Sequence, residues 1–117
     1  MASSNTSCLS AGLASKKCVP CEGGIKPKSE TEIRELLKEL PGWRYEKGGI
    51  VKTFTFKNYS ETVPFVNAVA WIANRENHHP EIEFGYKTCH IRYATHAING
   101  LSGNDFICAA KIDNLLL

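Results

Sequence analysis

The sequence predicts one α+β domain: a four-stranded antiparallel sheet with three helices on one face, in the order α-β-β-α-β-β-α. Three segments carry apolar residues at helical spacing, and between them lie two pairs of short segments with the pattern of strands. The chain has 117 residues, of which 43% are hydrophobic, and this suits one small domain with one core. We expect the opposite face of the sheet to expose threonine, lysine and arginine side chains.

The first helix is predicted to begin at a capping box, in which the Ser29 hydroxyl and the Glu32 carboxylate accept hydrogen bonds from free backbone amides. Four apolar residues follow at helical spacing: Ile33, Leu36, Leu37 and Leu40. Pro41 and Gly42 then end the helix, because neither residue favours a helical interior.

Two β-hairpins are predicted, one on each side of the second helix. The first joins residues 43–46 to residues 50–57, and the second joins residues 81–84 to residues 86–94, each through a turn that contains glycine. The apolar residues of the last strand alternate and share the core face: Cys89, Ile91 and Tyr93.

The second helix is predicted from Ser60 to about Asn74. Its apolar stripe is Val63, Val66, Ala70 and Ala73, widened by Phe65, Val69 and Ile72. Pro64 is expected in the first turn, where a missing amide hydrogen costs no hydrogen bond. Pro80 closes the helix because it forces His79 out of the α region. A third helix follows a second predicted cap near the C-terminus.

The excess positive charge lies near the N-terminus. The chain carries 14 Lys and Arg and 12 Asp and Glu, a net charge of +2, and Lys16 and Lys17 account for that excess because no acid precedes Glu22. The rest of the chain is balanced, whereas a nucleic-acid-binding domain normally gathers basic residues on one face. We therefore expect no direct contact with nucleic acid.

Residues 1–17 are expected to form a disordered tail, and residues 18–117 a single domain. The tail lacks the apolar segment of a secretory signal, and no run of about 18 apolar residues predicts a membrane span. The expected location is the cytoplasm. A nuclear location and organellar targeting by the serine-rich tail remain open alternatives.

Five cysteines, an odd number in a chain without a secretory signal, favour free thiols in a reducing compartment. Cys18 and Cys21 form a C-x2-C pair, which supplies only half of a tetrahedral zinc site. A redox pair would be expected at a helix start, and this pair lies in a Gly- and Pro-rich segment. We expect no metal site, with a metal or redox role for this pair as the minor alternative.

Three of the four histidines lie close together in the sequence. His78 and His79 leave the second helix and His96 follows the last strand, so all three can converge on a cleft between that helix and the sheet. Histidine, with an ordinary pKa of about 6.5, both donates and accepts protons near neutral pH. The spacing leaves two alternatives open: His78 and His79 only terminate a helix, or the three form a zinc site.

Other polar residues lie near these histidines. Asp105 could orient an imidazole or contact a ligand, and it is also placed to cap the third helix together with Ser102. Glu76 and Glu81 flank the histidine pair and are expected in solvent. Both tryptophans are expected in the core or in an interface rather than at a ligand.

The residues around the histidines resemble a known family. Their order is Asn77-His78-His79-Pro80-Glu81, then Tyr86, Thr95-His96, Gly100-Leu101-Ser102 and Asp105. This combination closely resembles pterin-4a-carbinolamine dehydratase. Two further segments fit: Leu40-Pro41-Gly42-Trp43, and Cys18-Val19-Pro20-Cys21-Glu22-Gly23-Gly24, which resembles the lead-in of plant and protozoan members. The resemblance covers residues 18–117.

The resemblance implies a hydro-lyase that converts 4a-hydroxytetrahydropterin to quinonoid dihydropterin and water, a step that recycles tetrahydrobiopterin after aromatic amino-acid hydroxylation. The family has the α+β fold predicted above, uses no metal or organic cofactor, and forms homo-dimers or homo-tetramers. In animals a member also binds a homeodomain transcription factor. The alternative function is therefore a dimerisation or coactivator module with the same fold and little or no catalysis.

By this resemblance, His78, His79 and His96 are the catalytic and pterin-binding histidines. We expect His79 and His96 to transfer protons and His78 to hold the pterin edge. The expected substrate-binding residues are Asn74, Pro80, Thr95 and Asp105.

Asn74 departs from the family pattern, because animal members carry an acidic residue four positions before the histidine pair. Glu76 lies about 200° further around the helix and cannot replace that residue. The Asn74 amide can still bind a neutral pterin or imidazole, so we expect activity to survive.

Overall fold

A computed structural model describes residues 12–20 and 25–116. The main elements are α1 (Glu30–Leu37), β1 (Arg44–Glu46), β2 (Gly49–Thr55), α2 (Tyr59–Glu76), β3 (Glu81–Phe84), β4 (Thr88–Tyr93) and α3 (Gly103–Asn114). A single 3-10 turn, His96–Ile98, lies between β4 and α3. Residues 12–14 are also helical. The predicted α+β class and the predicted order of the main elements are confirmed.

The four strands form one antiparallel sheet in the order β1-β2-β4-β3. The two predicted hairpins therefore meet through β2 and β4, whose register places Thr53 opposite His90. Cys89, Ile91 and Tyr93 are fully buried on the side of the sheet that the helices cover, as predicted. The strand β4 ends at Tyr93, and Thr95 and His96 follow closely after it.

The hydrophobic core lies between this face of the sheet and the helices. Its buried members come from every layer: Ile33, Trp43, Ile50, Phe54, Phe65, Val69, Ile72, Ile91, Tyr93, Phe106, Ala109 and Ile112. Trp43 is in the core, as expected, and its indole N–H donates to Asp113 over 3.1 Å. Trp71 is 60% exposed and does not belong to this core.

The predicted capping residues have local partners in the structure. Ser29 accepts the Glu32 amide over 3.2 Å, and Glu32 accepts the Ser29 amide over 2.8 Å. At the start of α3, the Asp105 carboxylate accepts the Ser102 amide over 2.9 Å. These short-range signals are independent of the rest of the fold, which explains why the sequence predicts them well.

One expectation for α2, the place of Pro64, is wrong, and the predicted apolar stripe is confirmed in part. The helix begins at Tyr59 and is capped by Asn58, whose side chain accepts the Glu61 amide over 3.0 Å, so Pro64 lies in the second turn and not in the first. The buried face consists of Thr62, Phe65, Val69, Ile72 and Ala73. All of these except Thr62 belong to the predicted stripe or its widening, whereas Val63, Val66 and Ala70 are not buried. The aromatic ring of Phe65 determines which face is buried, because it packs against Phe54 and Phe56.

Part of the predicted tail packs on the domain. Leu13 is 6% exposed and belongs to the core, and the Lys111 ammonium donates to the Ala14 carbonyl over 2.6 Å. Residues 1–11 lie outside the described residues, so the prediction of disorder there stays a prediction. Within the described ranges, no helix has both the length and the apolar character needed to cross a membrane.

Candidate active site

All three predicted catalytic histidines line one cleft of about 620 Å³. The cleft, termed here the histidine cleft, lies between the C-terminal end of α2, the end of β4 and the segment 18–20. A smaller cavity of about 270 Å³ adjoins it, and His79, Thr95 and His96 line both. The convergence predicted from the sequence is therefore present.

The turn at the end of α2 buries the side chain of His78 and leaves that of His79 exposed. Asn77 adopts the left-handed conformation, with φ of 52°, and turns the chain sharply. The His78 amide still donates to Ala73 over 3.1 Å, and its side chain is only 12% exposed. His79, the next residue, is exposed at the cleft. His96 is exposed as well, in the 3-10 turn that follows Thr95.

His78 is held on two sides. Its Nε2 lies 2.6 Å from Oδ1 of Asp105, and its ring stacks on Tyr93 with 5.2 Å between centroids and 13° between planes. The Tyr93 hydroxyl also donates to the His78 carbonyl over 3.3 Å. Because Nε2 is used by Asp105, Nδ1 is the ring nitrogen left for a ligand.

Asp105 lies behind His78, and its side chain is fully buried. Its second carboxylate oxygen accepts the Thr95 hydroxyl over 2.7 Å and the Ser102 amide over 2.9 Å. The Thr95 hydroxyl in turn accepts the Ser102 hydroxyl over 2.8 Å. Asp105 is not among the residues that line the cleft, so it acts on a ligand through His78.

These contacts change the protonation of His78. Burial lowers its pKa, but the hydrogen bond to Asp105 and the negative charge of that carboxylate raise the pKa by more. The net pKa is above the ordinary value for histidine. The fold therefore favours a positively charged imidazole inside the cleft.

The remaining predicted substrate-binding residues lie in different places. Thr95 lines both cavities, although its hydroxyl is bound to Asp105. Asn74 is exposed on α2 and Pro80 is half-buried, and neither is among the residues lining the two cavities. Their predicted contacts with substrate stay predictions.

One wall of the cleft was not predicted from the sequence. Residues Cys18, Val19 and Pro20 line it. The Cys18 amide donates to Glu76 over 2.9 Å, and that bond lowers the pKa of Glu76. The Glu76 side chain is 8% exposed and lies 3.7 Å from the Lys111 ammonium. The expectation that Glu76 lies in solvent is therefore wrong, whereas Glu81 is exposed as expected.

Asn104 fixes the same wall. Its side-chain amide donates to the Val19 carbonyl over 2.6 Å and accepts the Val19 amide over 3.0 Å. The side chain thus pairs with Val19 as a neighbouring strand would. No local sequence signal identifies this pair, because 85 residues separate its members.

The thiols of Cys18 and Cys108 meet behind this wall, with 3.4 Å between sulfur atoms. The hydrogen bond between them raises the pKa of Cys18 and lowers that of Cys108. Cys21 lies outside the described residues, so the C-x2-C pair is not tested. Among residues 12–20 and 25–116, no three His, Cys, Asp or Glu side chains are grouped as ligands for a metal ion.

Comparisons with known proteins identify the family of the chain. Residues 26–115 match the family model described as pterin 4 alpha carbinolamine dehydratase. A protein from Nitrosospira multiformis with the provisional name pterin-4-alpha-carbinolamine dehydratase is 59% identical over 88% of this chain and 91% of its own length. A protein of the same provisional name from Dechloromonas aromatica is 52% identical over 95% of this chain and 96% of its own.

Two solved structures share the fold. The transcriptional coactivator/pterin dehydratase from Brucella melitensis aligns with a TM-score of 0.74 and 30% identity, over 77% of this chain and 98% of its own. A pterin dehydratase-like protein identified as a RuBisCO assembly factor in the alpha-carboxysome aligns with a TM-score of 0.54 and 26% identity, over 62% and 84%. By its sequence and its fold, the chain belongs to the pterin 4 alpha carbinolamine dehydratase family.

Proposed function

We propose that the protein dehydrates a 4a-hydroxytetrahydropterin to the quinonoid dihydropterin and water, as a step of tetrahydrobiopterin recycling. The observation that carries this proposal is the convergence of His78, His79 and His96 on one cleft in a chain of this family. The reaction needs one group that donates a proton and another that accepts one, and imidazoles suit both roles near neutral pH.

His78 holds the substrate in this mechanism. Its ring is fixed by Asp105 and Tyr93, and its raised pKa favours the charged form. A fixed donor at Nδ1 is suited to binding a carbonyl or ring nitrogen of the pterin in one orientation. The same constraint makes His78 less suited to repeated proton transfer than its exposed neighbours.

His79 and His96 carry out the proton transfers. One of them, as imidazolium, protonates the 4a-hydroxyl group, the C4a–O bond breaks, and water leaves. The other, as neutral imidazole, removes the proton from N5, and the C4a=N5 double bond forms. Exchange with solvent restores both side chains, which are exposed at the cleft. Each such acid or base contributes about 10²- to 10⁴-fold to the rate.

The histidines perform this chemistry without a metal or an organic cofactor in our proposal. No electrons are transferred, and the two protons that move are within the capacity of two imidazoles. Asn74 occupies the position where animal members carry an acid. Because Asn74 is exposed on α2 and lines neither cavity, we expect activity without a charge at this position.

Stopped-flow absorbance tests the proposal, with the carbinolamine generated in situ. We expect the protein to accelerate the appearance of quinonoid dihydropterin over the spontaneous reaction. His79→Ala and His96→Ala should each reduce turnover at least about tenfold. The matched control is His90→Gln, because His90 bonds to Thr53 on the sheet and lines neither cavity. If the wild-type protein gives no acceleration, the proposal is wrong.

The second candidate function is protein binding, and we propose it together with self-association. One structural relative is described as a transcriptional coactivator, and the other is identified as an assembly factor. An aromatic patch lies beside the edge strand β3, where Tyr59, Phe84 and Tyr86 are 50%, 45% and 64% exposed. Such a patch favours a second copy of this chain as partner, as a homo-dimer or as part of a homo-tetramer.

A further inference from the structure

A cavity lined by lysines shares a wall with the histidine cleft. Its volume is about 480 Å³, and we name it the lysine pocket. Its charged residues are Lys16, Lys17, Lys26 and Lys28. The apolar side chains in the lining are Val19, Ile25 and Ile107. The pocket thus offers ammonium groups around an apolar surface.

The shared wall consists of Val19 and Asn104, which line both the histidine cleft and the lysine pocket. Asn104 holds the Val19 backbone by two hydrogen bonds, of 2.6 and 3.0 Å. The Val19 side chain is 60% exposed, so it forms an apolar ridge on a fixed backbone. A substituent that leaves the cleft over this ridge enters the lysine pocket.

The pocket has a strong positive charge. Residues 16–28 contain four lysines and a single acid, Glu22, and so carry a net charge of +3. Within the described part of the chain, none of the four ammonium groups forms an ion pair with a carboxylate. Lysines so close together repel one another, and an anion bound among them would relieve that repulsion.

The adjoining cavity on the other side of the cleft differs in this respect. It contains Lys47 and Arg92, but the Arg92 guanidinium donates to two backbone carbonyls and lies 3.8 Å from Glu81. Glu81 also lines that cavity. Lys47 and Arg92 against Glu81 leave this cavity a smaller net positive charge than the four lysines give the lysine pocket, so the lysine pocket is the more favourable place for an anion.

We propose that the preferred substrate is a pterin carbinolamine whose side chain bears negative charge, a carboxylate or a phosphate, which binds in the lysine pocket while the ring lies in the histidine cleft. This inference rests on the proposed dehydratase function, since it names the substrate class of the same site. The neutral pterin ring gains nothing from the lysines, so they select among side chains and leave the chemical step unchanged.

Comparing three carbinolamine substrates tests this inference: one with a methyl side chain, one with a glutamate-bearing side chain and one with a phosphate-bearing side chain. The variant replaces all four lysines of the pocket by glutamine. The matched control replaces two exposed lysines at the far end of the sheet, Lys57→Gln with Lys87→Gln. A single exposed ion pair changes affinity by about fivefold at most, so a combined effect of about tenfold on KM is the expected scale.

In the wild-type protein and in the control, we expect KM to be about tenfold lower for an anionic substrate than for the methyl substrate, and kcat to be similar. The four-lysine variant should lose this preference and keep its activity on the methyl substrate. Raising the salt concentration should weaken the preference, because exposed charges are screened. The glutamate and phosphate arms show which anion is preferred. Equal KM values for all three substrates, or a preference that survives in the four-lysine variant, would overturn the inference.

A binding measurement separates this inference from the proposed function. Fluorescence titration with the corresponding oxidised pterins, which do not react, reports affinity alone. If no carbinolamine is turned over but the anionic pterins bind more tightly through the four lysines, the dehydratase proposal fails and the anion site stands. If the carbinolamines are turned over and the side chain makes no difference to binding, the function stands and the anion site fails.

Discussion

The charge on His78 is set by a carboxylate that does not line the cleft. Asp105 serves α3 as a capping residue and serves the site as the partner of His78, and one buried side chain performs both roles. The spacing from Ser102 makes the first role predictable, and the family resemblance suggests the second. The burial that raises the strength of this pair depends on the complete fold, and the sequence does not show it.

Asp105→Asn should reverse the protonation preference of His78. The oxygen of the new amide must accept the Thr95 hydroxyl and the Ser102 amide, so its NH2 group faces Nε2 of His78. That nitrogen must then accept a hydrogen bond, which requires a neutral ring. NMR titration should show the His78 pKa above its ordinary value in the wild-type protein and below it in the variant. An unchanged His78 pKa would contradict this account.

The same substitution changes the dependence of stability on pH. The pKa of His78 is raised in the folded state, so its contribution is fully present below the unfolded-state value and is lost as the pH rises through the folded-state value. In the Asp105→Asn variant, the free energy of unfolding should not fall in this way as the pH rises. Exchanging a hydrogen bond between charged groups for a neutral one costs about 1–2 kcal/mol. Urea unfolding at several pH values measures both effects. The two proteins should differ most in free energy of unfolding below the unfolded-state pKa of His78.

Elements with local signals were predicted well from the sequence, and elements that depend on distant residues were not. The caps of α1 and α3 and the alternation of β4 are local patterns, and the structure confirms them. Which part of the predicted stripe of α2 is buried depends on how Phe65 packs against two other aromatic rings. The segment 18–20 is the extreme case, because its partners Glu76 and Asn104 lie 58 or more residues away.

Asn104→Ala should loosen the segment 18–20 while the core remains folded. The variant loses both hydrogen bonds to Val19, and water can replace them because Val19 is exposed. We expect a loss of about 1 kcal/mol in the free energy of unfolding. Hydrogen exchange at the Val19 amide should accelerate at least about tenfold, and KM for the carbinolamine should rise severalfold. Asn67→Ala, at an exposed position of α2, is the matched control.

If the exchange rate at Val19 increases and KM does not change, the segment 18–20 is not part of the substrate-binding wall. If neither quantity changes, the two hydrogen bonds do not hold the segment in solution. Only a joint change supports the role given to Asn104.

At the scale of the whole molecule, the fold class and the convergence of the histidines were predictable because the order of the elements limits how the chain can close. The composition did not indicate which apolar residues would stay outside the core. Both tryptophans were expected in the core or in an interface, and Trp43 is buried while Trp71 is exposed. An exposed large aromatic side chain is typical of an interaction surface, so a place for Trp71 in an interface stays a prediction.

The aromatic patch beside β3 leads to a prediction about assembly. Tyr59 lies 6.5 Å from Phe84 and 6.4 Å from Tyr86, ring centroid to centroid, the latter pair with nearly parallel planes. β3 pairs with β4 on one side, and its other edge has no strand partner among the described residues. A second copy placed along this edge would cover the rings and satisfy the open backbone groups together.

Light scattering after size-exclusion chromatography should therefore give the wild-type protein at least twice its chain mass of 13.0 kDa. The double variant Phe84→Lys with Tyr86→Lys should shift toward the monomer, because two ammonium groups would be buried against their symmetry mates. Tyr45→Lys is the matched control, since Tyr45 is 47% exposed on the opposite edge strand β1. A double variant that keeps the wild-type mass would place the subunit contact elsewhere. A monomeric wild-type protein would remove self-association from the proposed function and leave the histidine chemistry to a single chain.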